Sequence, residues 1–291
     1  MKATPRKLAG AKVGVRVAVD RFIAEKGITN QTQLSRCKFW SEHCKDLPLL
    51  ELTASRVADA LGELKAEGKS GATVNRYKAV LSGMWKHWAR ARAGSEQLVP
   101  MELNPAKSVG KESEPDARLV TLDKAQRGAL LDACADDHEL LAAVRLALTS
   151  GCRHGELAKL KWRDVDLIKG TAQLTKTKNG SRRAIAFDGV TLEAIKKLPR
   201  GIANAPVFSE RVRDRNKLRS PWKAALKRAK LADMRWHDLR HVSVQVAIES
   251  GSTLMEAGLH TGHKSMAALS RYSHLDPTHQ QKISARVGEA L

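Results

Sequence analysis

Apolar residues recur at intervals of three and four along most of this chain, the spacing of helices that bury one face. Val13, Val17, Phe22 and Ile23 mark a helix over 12–26, closed by Gly27. Phe39 and Trp40 belong to a second helix over 35–44. Thr53 is placed to cap a third, in which Val57, Leu61 and Leu64 recur until Gly68. The strongest stripe of the first half is Val74, Tyr77, Leu81, Trp85 and Trp88, entered through Ser70-Gly71-Ala72-Thr73. Tyr77 lies on that stripe and reads as a core residue. Lys78, Lys86, Arg90 and Arg92 lie off it, free to meet an anionic partner.

The periodicity stops at Asn104-Pro105. Residues 106–117, AKSVGKESEPDA, are polar, contain Gly and Pro, and read as a linker. This divides the chain into a helical domain over 1–105, a linker over 106–117 and a second domain over 118–291. The second domain opens with Val120-Thr121-Leu122-Asp123, a helix entry. Leu140–Thr149 is almost wholly apolar and so reads as a buried helix, and a further helix runs from Gly155 to Leu160. Residues 171–187 change period: TAQLTKTK and SRRAIAF flank Asn179-Gly180, the pairing expected of a two-residue hairpin. Helices resume near Thr191. Over 211–235 cations crowd a helix whose packed face is Trp222, Ala225, Leu226 and Ala229, so Lys223 and Lys227 can point outward. The fold class is therefore mainly α, with an α+β second domain holding a small hairpin or sheet.

Charge changes the picture. Lys+Arg number 51 against 31 Asp+Glu, a formal net charge of +20. An excess of this size suits a polyanion. The four cysteines, Cys37, Cys44, Cys134 and Cys152, match no paired zinc spacing, and no apolar run reaches a membrane span. The composition thus points to a cytosolic protein with reduced thiols and a nucleic-acid partner.

One stretch concentrates chemistry. Trp236–Tyr272 contains WHDLRH, TGHK and SRY. His237 and Arg240 are three apart, and His263 precedes Tyr272 by nine residues. A tyrosine is a poor nucleophile at neutral pH, with a pKa of about 10, and one that follows two histidines and an arginine points to assisted phosphoryl transfer.

Five segments carry a resemblance: SGCRHGELAKLKW (150–162), TKTKNG (175–180), HDLRH (237–241), TGH (261–263) and SRYSHL (270–275). In order and spacing they resemble the tyrosine recombinase (phage integrase) family across 118–275. TVNRYKAVLSGMWKHWA in the first half resembles, more weakly, the family's helical core-binding domain.

The resemblance implies a nucleophile, Tyr272, that attacks a DNA phosphate to form a 3′-phosphotyrosyl link. Arg153 and Arg240 correspond to the family's two arginines, and guanidinium suits the non-bridging oxygens of the transition state. Glu156 corresponds to an acidic residue that supports the arginine. The departing 5′ oxygen needs a general acid. Lys176 and Lys178 share one face of the hairpin, and parity does not separate them; Lys178 resembles the family's hairpin lysine. His237 can bond the phosphate or take the tyrosine proton, and His263 can donate to a non-bridging oxygen. His241, His260 and His274 read as supporting or structural.

The chain departs from the family where Val242 and Ser243 replace a small hydroxyl and an aromatic residue. It departs again where Thr261 replaces the leucine that often precedes the Gly-His pair. Both read as packing positions.

The resemblance further implies a duplex held by both domains, a specific core site, and a homo-tetramer on two sites. No metal and no cofactor are implied. Lys78, Lys86, Arg90, Lys223 and Lys227 are the expected DNA contacts. Integration or excision of a phage or other mobile element is the implied task, in the nucleoid-bearing cytoplasm and with DNA-bending accessory proteins admitted. Xer-like dimer resolution, type IB topoisomerase-like relaxation and non-catalytic DNA binding are the alternatives. Ile283, Val287 and Leu291 would form an apolar stripe behind a Thr278 cap, and in the family such a tail docks on a neighbouring protomer.

Overall fold

A computed structural model describes residues 12–90, 98–115, 118–174, 183–263, 265–275 and 279–290. The chain divides into two compact units, Met1–Ala117 and Arg118–Leu291.

The first unit is helical. α1 (Val15–Lys26) ends at Gly27, and α2 (Gln31–Cys44) is capped by the Asn30 side chain, which accepts from the Gln33 N–H. α3 (Ala54–Ala66) is capped by Thr53 and α4 (Gly71–Trp88) by Ser70. Trp40, Leu81, Met84 and Trp85 are fully buried among them. Tyr77 is half-buried against Phe39, with the Arg36 guanidinium over its ring.

Part of the segment expected to be a linker is built onto this unit. α5 (Pro105–Ser108) is capped by Asn104 and buries Pro105 and Ala106. The strand of chain after it is tied to α4: Asn75 bonds the backbone of Glu112 in both directions, at 2.9 Å each, and the side chain of Glu114. Lys78 lies under the same strap. Its Nζ donates to the carbonyls of Val109 and Gly110. Lys78 is therefore a structural cation and not the free DNA contact its helical position suggests. Lys86 and Arg90 are exposed; Arg92 lies outside the described residues.

The second unit is organised around two buried helices. α6 (Lys124–Asp132) starts with a reciprocal Asp123–Gln126 capping box. α7 (His138–Ser150) buries Leu140, Ala143, Val144, Leu146 and Ala147, and stops at Gly151. α8 is short (His154–Leu157) and ends before the predicted Leu160. A three-stranded antiparallel sheet follows, β1 (Val165–Asp166), β2 (Thr171–Leu174) and β3 (Arg183–Ala186), with Ala172 opposite Ile185. The turn between β2 and β3, with Lys176, Lys178, Asn179 and Gly180, lies outside the described residues.

α9 (Gly189–Lys196), α10 (Glu210–Arg213) and α11 (Arg215–Arg228) complete the outer layer, and α11 buries Leu218, Trp222, Ala225 and Leu226. Lys223 and Lys227 are exposed, as their helical phase predicts. α12 (Asp238–Glu249) packs on α7 and on α13 (Leu254–Thr261). Its Gln245 bonds both the N–H and the carbonyl of Leu122, at 2.9 Å each, which ties the start of the unit to its centre. α14 (Met266–Leu269), a 3₁₀ segment (Ser270–Leu275) and α15 (His279–Ala290) end the chain. Val287 of α15 is exposed; Thr278, Leu291 and the side chain of Ile283 lie outside what is described. Among the described residues no helix is long and apolar enough to cross a membrane.

Candidate active site

The site forms where the ends of α7 and α13 meet the first turns of α8 and α12. Gly151 makes this junction possible. Its φ of +59° is left-handed, and a Cβ there would lie 2.6 Å from Thr261 Cγ2. The turn exposes the carbonyls of Ser150 and Gly151, and both are used to hold arginines.

Arg240 is 2% exposed. Its Nη1 donates to the Gly151 carbonyl at 2.7 Å and to the Thr261 carbonyl. Its Nη2 is buried with no hydrogen-bond partner among the described residues. Burial, with Arg153 and Arg183 nearby, lowers its pKa to about 10. A buried guanidinium left incompletely paired costs several kcal/mol, and an anion seated on Nη2 would recover it.

Arg153 caps α8, and its side chain is 42% exposed. Glu156 receives the Arg153 backbone N–H at 2.9 Å and its guanidinium at 3.0 Å. Burial pushes the Glu156 carboxyl up, but those bonds and the charge of Arg183 outweigh it and hold the group below the usual carboxylate range. Glu156 thus fixes Arg153 and is spoken for as a proton carrier.

Arg183 is a site residue that the sequence reading missed. It starts β3 on the same inward face as Ile185. Its guanidinium donates to the Ser150 carbonyl at 3.0 Å, to the His260 carbonyl, and to Glu156 at 3.5 Å. Gly262, in the left-handed region at φ +73°, lets the backbone pass: a Cβ there would sit 2.9 Å from Arg183 Nε. The signal was present in the strand alternation, which puts a charged side chain on a core-facing position.

Three histidines surround the nucleophile candidate. His237 is the N-cap residue of α12, exposed as a residue and 5.4 Å centroid to centroid from His241. Partial desolvation, with Arg240 and Arg153 nearby, lowers its pKa. His263 packs edge-on against Tyr272 at 6.2 Å, and its Nδ1 lies 2.7 Å from Thr261 Oγ1. Burial, then Arg240 and Arg153, depress His263 to about 3. Thr261 is therefore more than a packing residue; its hydroxyl orients His263, and its carbonyl holds Arg240.

Tyr272 lies on the 3₁₀ segment and is 1% exposed, packed with Val244, Ile248, Ala257 and Leu269. Its hydroxyl is hydrogen-bonded to Nδ1 of His241. Burial pushes the phenol pKa up, and Arg271 and Arg240 pull it partly back. His241, expected to be a supporting residue, is the side chain that touches the Tyr272 oxygen.

Arg153 and His237 also line an adjoining cavity of about 540 Å³ with Arg215, Leu218, Trp222 and Trp236. Among the described residues no group of three or more His, Cys, Asp or Glu side chains could hold a metal ion. What the arrangement offers is three guanidinium groups, three imidazoles held below their ordinary pKa and one phenol gathered at one junction of the unit.

Comparison with known proteins places this site in a family. The family model described as "Phage integrase family" matches residues 121–279. The chain belongs to the phage integrase family.

Among its relatives, the shufflon-specific DNA recombinase of Escherichia coli is 31% identical, over 71% of this chain and 52% of that protein. The integrase of Salmonella phage P22 is 26% identical, over 84% of this chain and 71% of that one. The chain thus spans about half the length of the first relative. In solved structures the same fold occurs in lambda integrase, as a dimer bound to a COC′ core site, with a TM-score of 0.64 and 21% identity. That match covers 90% of this chain and 78% of the other. The Tn1549 transposon integrase in complex with transposon right end DNA has a TM-score of 0.63 and 16% identity, over 90% of this chain and 95% of that one.

Proposed function

We propose that the chain is a site-specific DNA recombinase that cuts and rejoins strands through a 3′-phosphotyrosyl intermediate. The observation that carries this reading is Arg240: buried, bonded through Nη1, with Nη2 lacking a partner among the described residues, and set beside Arg153 and Tyr272. A buried guanidinium with an open Nη2 among the described residues, next to a phenol, fits a phosphate diester that the phenol attacks.

In this reading Arg153 and Arg240 bind the non-bridging oxygens and stabilise the charge that grows on them. Glu156, itself bonded by Arg183, holds Arg153, and the Gly151 and Thr261 carbonyls hold Arg240. The Tyr272 oxygen bonds to phosphorus, the bond from phosphorus to the 5′ oxygen breaks, and Lys178 gives that oxygen its proton. The diester energy stays in the tyrosyl link, so the 5′ hydroxyl of a partner strand can reverse the step. His237 and His263 bond the phosphate. Lys86, Arg90, Lys223 and Lys227 hold the duplex.

The relatives support the finer task. Those named above are three integrases and a shufflon-specific recombinase, and a further solved structure of the same fold is a lambda integrase tetramer bound to a Holliday junction. We assign integration or excision of a mobile element, by a tetramer on two core sites with the C-terminal helix linking neighbours.

Covalent capture tests the reading. Wild-type protein incubated with a nicked-duplex library should yield a protein–DNA adduct that survives denaturation. Tyr272→Phe should bind the captured duplex as tightly and give no adduct. An adduct retained in Tyr272→Phe refutes the nucleophile. Recombinant joints between two captured sites, as against relaxed circles only, separate recombination from topoisomerase action.

A further inference from the structure

We propose that His241, not His237, is the base that takes the phenol proton of Tyr272 when the tyrosine attacks. The inference rests on the phosphotyrosyl reading above and assigns its missing proton acceptor.

Geometry comes first. A general base must lie within hydrogen-bond reach of the proton it removes. The Tyr272 hydroxyl is bonded to His241 Nδ1, and both side chains are buried. His237 is exposed and lines the cavity that adjoins Arg153. It faces the side from which a phosphate would come. The two histidines, one turn apart on α12, therefore look at different atoms of the reaction: His241 at the nucleophile, His237 at the diester.

The bond also defines a tautomer. Tyr272 is protonated in the resting site, because burial raises its pKa. His241 is neutral, held at about 4 by burial, then by His237, Arg271 and Arg240, with only Asp238 opposing them. A neutral imidazole beside a protonated phenol accepts at Nδ1 and keeps its own proton on Nε2. In the attack the phenol oxygen bonds to phosphorus, its proton passes to Nδ1, and His241 becomes an imidazolium. The 5′ oxygen leaves with a proton from the general acid. On rejoining, the imidazolium returns its proton to the departing phenol. Charge and protons balance in both directions.

The charges around His241 explain how so weak a resting base acts only on substrate. The groups facing it are His237, Asp238 and Arg240 on α12, Arg271 and Tyr272 on the 3₁₀ segment, and His263 beyond α13. The arginines among them depress its basicity. A phosphate seated on Arg240 and Arg153 cancels part of that field, so binding the diester raises the basicity of His241, which takes the phenol proton as the phenol oxygen bonds to phosphorus. Free enzyme keeps its tyrosine protonated and covered; bound enzyme releases it.

The test uses full-length protein and the duplex recovered by covalent capture with the wild type, in single-turnover cleavage. His241→Asn keeps an acceptor near the Nδ1 position but cannot take a proton. We expect normal DNA binding, a cleavage rate lower by about 100-fold or more, and loss of the acidic limb of the pH–rate profile. His237→Asn should cleave slowly yet retain that limb. In the same pair of proteins, a fluorinated tyrosine at position 272, whose phenol ionises more readily, should shrink the effect of His241→Asn. It should leave the effect of His237→Asn in place.

A His241→Asn enzyme that cleaves at the wild-type rate with an unchanged pH profile overturns the proposal. So does a limb that disappears with His237→Asn instead. If His241→Asn folds poorly, the His237→Asn profile and its fluorotyrosine form decide the matter alone: loss of the limb, or its suppression only there, refutes the assignment. Absence of any adduct from wild-type protein would instead remove the phosphotyrosyl reading itself.

Discussion

Thr261 Oγ1 lies 2.7 Å from Nδ1 of His263, while the carbonyl of the same threonine accepts from Arg240. One residue thus sets two groups of the site. It also fills the space beside Gly151, where its methyl group leaves no room for a Cβ. Thr261→Val keeps the methyl packing and the carbonyl but deletes the hydroxyl. A single hydrogen bond of this kind is worth about 0.5–1.5 kcal/mol, so cleavage should fall by up to about tenfold with DNA binding unchanged. Single-turnover rates equal to wild type would show that the hydroxyl does not orient His263.

Arg183 ties three elements together through the Ser150 and His260 carbonyls and Glu156. Arg183→Ala leaves these acceptors and a buried carboxylate short of donors. Unfolding by urea should show a loss of about 2–4 kcal/mol, together with slower cleavage because Glu156 no longer holds Arg153 in place. Arg183→Lys should recover part of the stability and less of the rate, since one ammonium cannot span the three acceptors. An alanine variant as stable as wild type would remove Arg183 from the framework.

Nη2 of Arg240, without a partner among the described residues, should bind simple anions. Sodium sulfate should raise Tm above a sodium chloride control of equal ionic strength, by mass action on the folded state. Arg240→Ala and Arg153→Ala should each reduce the difference. A sulfate effect that persists in full in both variants would locate the anion elsewhere.

His241 and His263 make stability depend on pH with a defined sign. Their folded pKa values, about 4 and about 3, lie below the ordinary histidine value of about 6.5. The unfolded chain therefore binds protons first as pH falls. Stability is fully present above about 6.5 and should decline as pH drops from there towards 4. Tm measured across that window should fall less steeply in His241→Asn than in wild type; parallel curves would refute the buried neutral state of His241.

Much of this was legible before the fold was known. The helix stripes, the cap at Thr53, the helix entry at Ser70-Gly71-Ala72-Thr73 and the apolar run of α7 follow from local spacing and from side chains that satisfy nearby backbone groups. Arg153, His237, Arg240, His263 and Tyr272 stood out because their motifs are short and ordered. Local spacing also misled. Lys78 lies off the apolar stripe and yet is consumed by a strap more than thirty residues later in the chain.

What the sequence determined by itself was therefore the set of elements and most of the candidate site, because caps, periodicity and motifs act within a few residues. Which side chain holds which was decided only by tertiary structure. His241 meets Tyr272 across 31 positions, Arg240 meets Gly151 across 89, and Arg183 meets His260 across 77. No local pattern encodes such pairs. They arise because α7, α12 and α13 pack together, and that packing brings the polar ends of the helices against one another.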